Sequence, residues 1–151
     1  MGTVSSLLAK LNGQRVYIDA NFLIYFLDRT EPYFDAVAPI FQACDRGDFI
    51  GFTGDAAVCE VMVHPYRNKS ASEIARGKSL FARQGFLTVL RHDAECFDLT
   101  AQIRASANMR MIDALHYATA LQAGCRYLLS NDQDFKSGTT LEVIPIRSLI
   151  D

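Results

Sequence analysis

Val16-Tyr17-Ile18 is a short apolar run with two β-branched members, and it stops on an acid, Asp19. A run of this kind reads as a buried strand. Phe22, Leu23, Tyr25 and Phe26 follow at helical spacing, so the acid marks the point where a strand hands over to a helix. In open α/β sheets that edge, at the carboxyl ends of the strands, is where ligands bind. If Asp19 lies there, carboxylates from distant parts of the chain are expected to converge on it.

The same alternation runs along the chain. Strands are expected over residues 15–19, 49–52, 86–90, 127–130 and 141–146. Between them the pattern predicts a short helix over 5–11, one from a cap at Asn21 to about Leu27, and one over 34–46. Asp55 is the expected cap of a helix carrying Val58, Glu60, Val61 and Met62, which Pro65 is expected to stop at His64. Asn68 to Ser72 reads as a turn into a basic amphipathic helix ending near Arg83. A helix from Asp93 to about Ala107 has Phe97, Leu99 and Ile103 spaced for burial. Residues 111–123 are rich in alanine, suited to close packing on a sheet, and Gly124 is the expected stop. Strands separated by helices argue for one domain over 1–151, built on a mostly parallel five-stranded sheet covered on both faces.

Composition narrows the class further. Half the residues are hydrophobic and a fifth charged, as in ordinary globular chains. No apolar run approaches the roughly 18 residues of a membrane span, and no charged segment precedes an apolar one at the start, so a cytoplasmic protein is expected. The cysteines at 44, 59, 96 and 125 lack zinc-type spacing; Cys44, Cys59 and Cys125 sit among apolar neighbours and read as reduced core residues. Net charge is −2, but unevenly spread. Between Tyr66 and Arg91 lie six basic residues and one acid, whereas Arg15 to Pro65 holds eight acids and three arginines. An acidic pocket beside a basic surface suits a polyanion held by its phosphates and processed at a metal; a merely solvated basic helix face is the plainer alternative.

Four acids fit poorly with a purely structural role. Asp19 and Asp132 each follow a buried strand, Asp113 starts an apolar helix, and Glu60 lies inside one. Each has an ordinary alternative: Asp113 a helix cap, Asp132 and Asp134 turn residues, Asp19 the start of a turn. Glu60 is the hardest to dismiss, because glutamate is rarely buried unpaired. Clustered carboxylates repel unless a cation neutralises them, and oxygen ligands suit Mg²⁺ or Mn²⁺. Asn21 is either a cap or an amide placed to position a bound water. His116, one helical turn after Asp113, reads as a core or supporting histidine rather than a ligand for an oxygen-loving ion.

Ile18-Asp19-Ala20-Asn21, Glu60-Val61-Met62-Val63-His64-Pro65-Tyr66-Arg67, Ile112 to Ala120, and Leu129-Ser130-Asn131-Asp132-Gln133-Asp134-Phe135 resemble, in order, the successive motifs of the PIN-domain family. Within it the chain most resembles the small VapC-type toxins. The resemblance implies an α/β/α sandwich and a metal-dependent endoribonuclease, the toxin of a type II toxin–antitoxin pair. Asp19, Glu60, Asp113 and Asp132 match the family's acidic quartet. Ser130 matches the small hydroxyl residue before the last acid, and Asp134 matches an acid that replaces or assists Asp132. Implied partners are RNA, a small antitoxin whose tail fills the acidic groove, and a second copy of the chain. Two departures stand out. Thr53 is only the nearest match to a serine or threonine expected before Glu60, and the slightly acidic net charge leaves RNA affinity to local patches.

The mechanism implied is phosphodiester hydrolysis, with Asp19 and Asp113 the main Mg²⁺ or Mn²⁺ ligands. Asp132 is a ligand or support, and Glu60 binds metal or accepts the proton of the attacking water. Arg67, Lys69, Arg76 and Lys78 are the candidate phosphate contacts. The competing class is a PIN-like module that binds RNA or protein without cleaving. A phosphoacceptor receiver domain fits poorly, because the first strand contributes only Asp19. Phosphatases with paired aspartates there fail likewise, because position 21 is Asn.

Overall fold

The computed structural model describes residues 3–131 and 140–150. Five strands form one sheet: β1 (Arg15–Ile18), β2 (Ile50–Gly54), β3 (Leu87–Leu90), β4 (Tyr127–Leu129) and β5 (Glu142–Ile144). Their spatial order is β3-β2-β1-β4-β5, and every neighbouring pair is parallel. The expected mostly parallel sheet is therefore parallel throughout. From β1 the chain builds outward through β2 and β3 and later resumes on the other side with β4. The strand order reverses beside β1, the kind of switch point at which such sheets open a crevice.

Parallel strands need long crossovers, and helix pairs supply three of them. α1 (Val4–Leu11) leads in; α2 (Ala20–Leu27) and α3 (Tyr33–Asp45) join β1 to β2. α4 (Asp55–Arg67) and α5 (Ala71–Ala82) join β2 to β3, and α6 (Ala94–Ser106) and α7 (Met111–Gln122) join β3 to β4. A 3₁₀ helix, Ile146–Leu149, follows β5. The period-2 alternation of β1 decides the layers. Val16 and Ile18 pack with Leu7, Leu23, Ile40, Phe41 and Val61, drawn from α1 to α4. Tyr17 points the other way, with Leu128, Met109 and the α7 alanines Ala114 and Ala120. The result is an α/β/α sandwich. Ala114, Ala118 and Ala120 have no exposed surface, as close approach of α7 requires. Gly124, at φ +70°, takes the left-handed conformation that ends this helix.

Several local expectations are corrected. Asp19, not Asn21, caps α2, because its own side chain accepts from Ala20 N–H. The α4 cap position is Gly54, with Asp55 already helical. One of the free N–H groups of that first turn, on Ala56, is taken instead by the imidazole Nε2 of His92 at 3.1 Å. Pro65 does not stop α4, which runs on to Arg67. A proline near the last turn removes one hydrogen bond, while Val61 and Met62 keep the helix packed on its neighbours. Phe97 is 42% exposed, since α6 buries Cys96 and Thr100 rather than the face that Phe97 occupies. Cys59 is exposed on α4; Cys44, Cys96 and Cys125 are buried and unbridged, as free core thiols should be.

Candidate functional site

Asp19 sits where β1 ends and α2 begins, 5% exposed. Its Oδ1 accepts from Ala20 N–H at 2.7 Å. The parallel register pairs Ile18 with Leu129, which brings Ser130 alongside, and Ser130 Oγ donates to Asp19 Oδ2 at 2.7 Å. Asn21 ties the same two strand ends together, its Oδ1 accepting from Asn131 N–H at 3.3 Å. Burial pushes the Asp19 carboxyl above its ordinary range, against the lowering pull of His116, Ser130 and Ala20. Thr53 is fully buried and donates to the Ile18 carbonyl at 2.8 Å, so it braces β2 against β1.

Glu60 reaches the same edge from α4, but not as the buried acid its place in an apolar helix predicts. Glu60 is not buried, and its side chain is 41% exposed. What fixes it is a histidine. His116 Nε2 lies 2.8 Å from Glu60 Oε1 and 3.6 Å from Asp19 Oδ1. One ligand atom from each of Asp19, Glu60 and His116 fits within a mutual 4.8 Å. Among the described residues, this trio is the cluster that could hold a metal ion. His116 is 1% exposed, and its other nitrogen, Nδ1, lies 2.7 Å from the Tyr17 hydroxyl. Burial lowers the imidazole's pKa, but the Glu60 hydrogen bond and the charges of Asp19 and Glu60 outweigh it and raise it overall. Tyr17 is raised well above its ordinary value by burial, then by the charge of Asp19, and keeps its proton.

Asp113 lies in the first turn of α7, 3% exposed, one turn before His116. Arg110 grips its carboxylate with two nitrogens, Nε to Oδ2 at 2.8 Å and a terminal nitrogen to Oδ1 at 3.3 Å. Asp132 and Asp134 lie outside the described residues.

The basic residues do not share one face. Arg67, Lys69, Arg76 and Lys78 are all exposed around the α4–α5 corner. Arg76 donates to the Leu27 carbonyl at 3.0 Å, whereas Lys78 turns toward the Tyr66 ring. Arg76 also lines a cleft of about 620 Å³ with Arg29 and Arg83, above Phe26, Phe34 and Leu80.

A divalent cation fits this donor set. Asp19 is a buried acid whose ionised form is disfavoured by that burial, a penalty a bound cation would offset, and Glu60 offers a second carboxylate within reach. His116 is not free to serve as a ligand while Glu60 is ionised. A carboxylate only accepts, so Nε2 must carry the proton between them. Sequence reading missed Tyr17 and Arg110. Arg110 stands three residues before Asp113, a helical spacing that signals a pair. Tyr17 carries no local signal, because its partner is 99 residues away.

A family model for the PIN domain matches residues 16–139. Solved structures share the fold. VapC20 of Mycobacterium tuberculosis, a sarcin-ricin-loop-cleaving toxin, is 13% identical, with a TM-score of 0.68 over 86% of this chain and 99% of that one. VapBC2 of Rickettsia felis, bound to a DNA fragment from its promoter, is 14% identical, with a TM-score of 0.69 over 87% and 98%. DNA-bound VapBC of Salmonella typhimurium is 16% identical, with a TM-score of 0.62 over 88% and 98%. Compared by sequence with curated proteins, the chain matches none.

Proposed function

The chain belongs to the PIN-domain family, and we propose that it is a divalent-metal-dependent endoribonuclease acting as the toxin of a toxin–antitoxin pair. One observation carries the reading: a buried acid and an exposed acid, from β1 and α4, meet around one point at the carboxyl edge of the sheet. Asp19, Glu60 and Asp113 would hold Mg²⁺ or Mn²⁺, with Asp132, or Asp134 in its place, as the fourth acid. When bound, the ion supplies Lewis acidity and a water acidified enough to attack phosphate near neutral pH.

The protein's own groups do the rest. Ser130 and the Ala20 N–H hold Asp19 in one orientation. Glu60 is the residue placed to take a proton from an attacking water, since its carboxylate is both exposed and held by His116. Asn21 keeps the ends of β1 and β4 in step. Arg110 holds Asp113 in place by a two-point contact. Arg67, Lys69, Arg76 and Lys78, spread around the α4–α5 corner, would each contact RNA phosphates separately, giving salt-dependent binding. We assign the protein to the cytoplasm, as a homodimer partnered by an antitoxin. No helix among the described residues is long and apolar enough to cross a membrane.

The test is cleavage of total RNA by the purified chain with Mg²⁺, Mn²⁺ or EDTA, beside Asp19→Asn. Discrete, metal-dependent fragments that vanish in the variant are expected. Folded, inhibitor-free protein that cleaves nothing under any metal would instead favour a binding module.

A further inference from the structure

Asp19 and Glu60 are held by different means. Asp19 is fixed by a backbone N–H and by Ser130, both within the sheet edge. Glu60 is a long side chain, 41% exposed, and such a chain gives up rotamer freedom when ordered. Its hydrogen bond is to His116 Nε2. That imidazole is itself enclosed. It is 1% exposed, its Nδ1 meets the hydroxyl of a fully buried Tyr17, and the His92 ring packs edge-on at 6.1 Å between centroids. Tyr17, His116 and Glu60 thus form one line of hydrogen bonds, from the floor of the sheet to solvent.

Its direction follows from the chemistry of the end group. An ionised Glu60 can only accept, so Nε2 carries a proton. Nδ1 then either accepts the Tyr17 O–H or, in an imidazolium, donates to the phenol oxygen. In both cases the phenol fixes the ring's rotation, and Nε2–H points at Glu60. A histidine lacking such a partner can flip or change tautomer and present a lone pair to the carboxylate.

We infer that Tyr17 and His116 are positioning residues for Glu60: the buried phenol orients the imidazole, and the imidazole holds an otherwise free carboxylate at the acidic edge. That the edge binds a divalent ion rests on the function proposed above; the line of hydrogen bonds does not. Hydrogen-bonded supports behind metal-site groups, when removed, typically cost about 10- to 100-fold in affinity or activity.

The experiment uses Tyr17→Phe, which deletes one oxygen, in the wild-type background and in Glu60→Ala. In metal-free protein, ¹⁵N spectra of the His116 ring and ¹³C relaxation of the Glu60 side chain read the alignment directly. Tyr17→Phe is expected to shift the Nδ1 signal and to mobilise Glu60. Calorimetric titration with Mn²⁺ gives the second readout. Tyr17→Phe is expected to weaken binding about tenfold when Glu60 is present, and to add little in Glu60→Ala, where there is no acceptor to aim. His116→Gln, which keeps an N–H donor near the Nε2 position, is expected to retain more affinity than His116→Leu. Equal losses in both Glu60 backgrounds, or a Glu60 side chain as ordered in Tyr17→Phe as in the wild type, would overturn the inference. A wild-type chain that binds no divalent ion would sink the nuclease reading, and the metal-free spectra would still decide the role of Tyr17.

Discussion

Gly54→Ala places a methyl group where the end of β2 meets the aromatic floor of the site. The new Cβ would stand 2.6 Å from the Tyr17 hydroxyl oxygen, 2.6 Å from His92 Cε1 and 2.8 Å from His92 Nε2. Gly54 has φ −131° and ψ 164°, extended values that alanine adopts freely, so the cost is one of packing and not of backbone strain. Neither ring can step aside cheaply. Tyr17 has no exposed surface and is bonded to His116; His92 takes the Ala56 N–H at 3.1 Å and meets Thr119 Oγ1 at 2.8 Å. Overpacking of this kind costs about 1–3 kcal/mol. At about 2–4 °C per kcal/mol for a chain of this size, the melting temperature falls by roughly 2–12 °C. Tyr17→Phe alone removes the partner of a buried imidazole nitrogen, at about 1–3 kcal/mol. The double variant also removes one of the clashing atoms, so its loss falls short of the sum by at least about 0.5 kcal/mol. Urea unfolding of the four proteins completes the cycle. A Gly54→Ala chain as stable as the wild type, or a strictly additive pair, would refute the packing argument.

Asp19→Asn is expected to lower RNA cleavage by at least about 100-fold. Because the folded Asp19 carboxyl lies above its ordinary value, the native state binds the proton more tightly than the unfolded chain does. Asp19 therefore subtracts stability as pH rises from its unfolded value through the raised folded one, and a metal-free pH–stability profile of the Asn variant should lack that fall. His116 is also raised, so its contribution is fully present below its unfolded value near 6.5 and is lost as pH rises through the folded one. His116→Gln should flatten this loss in urea midpoints measured from pH 6 to 9. Arg110→Gln should cost about 1 kcal/mol in EDTA, since the arginine is largely exposed, and saturating Mg²⁺ should recover much of it. Arg67→Ala and Lys69→Ala should each reduce the slope of log affinity against log salt for single-stranded RNA by about 0.7; an unchanged slope would remove that residue from the phosphate path.

Much of the fold was legible because its signals are local. Apolar runs cut off by polar residues marked five strands, and alternation with helices required parallel crossovers. Asp19 was identifiable from position alone, since a strand that ends on an acid and turns into a helix delivers that acid to the sheet's carboxyl edge. The local errors were equally physical. Pro65 costs a single hydrogen bond near a helix end, and packing by Val61 and Met62 overrides it. Glu60 was singled out as an acid that should be buried, whereas helix phase leaves it half in solvent.

Only the tertiary structure decided how the acids are held. The sequence reading placed Glu60, Asp113 and His116 on helices, but side-chain partners depend on how those helices settle on the sheet. His116 meets Glu60 across 56 residues and Tyr17 across 99, and Ser130 meets Asp19 across 111. The parallel register of β1 against β4 sets the last of these pairs, and the approach of the alanine-rich α7 sets the first two. Sequence periodicity determines which face a residue presents; what it touches there is fixed when the faces pack.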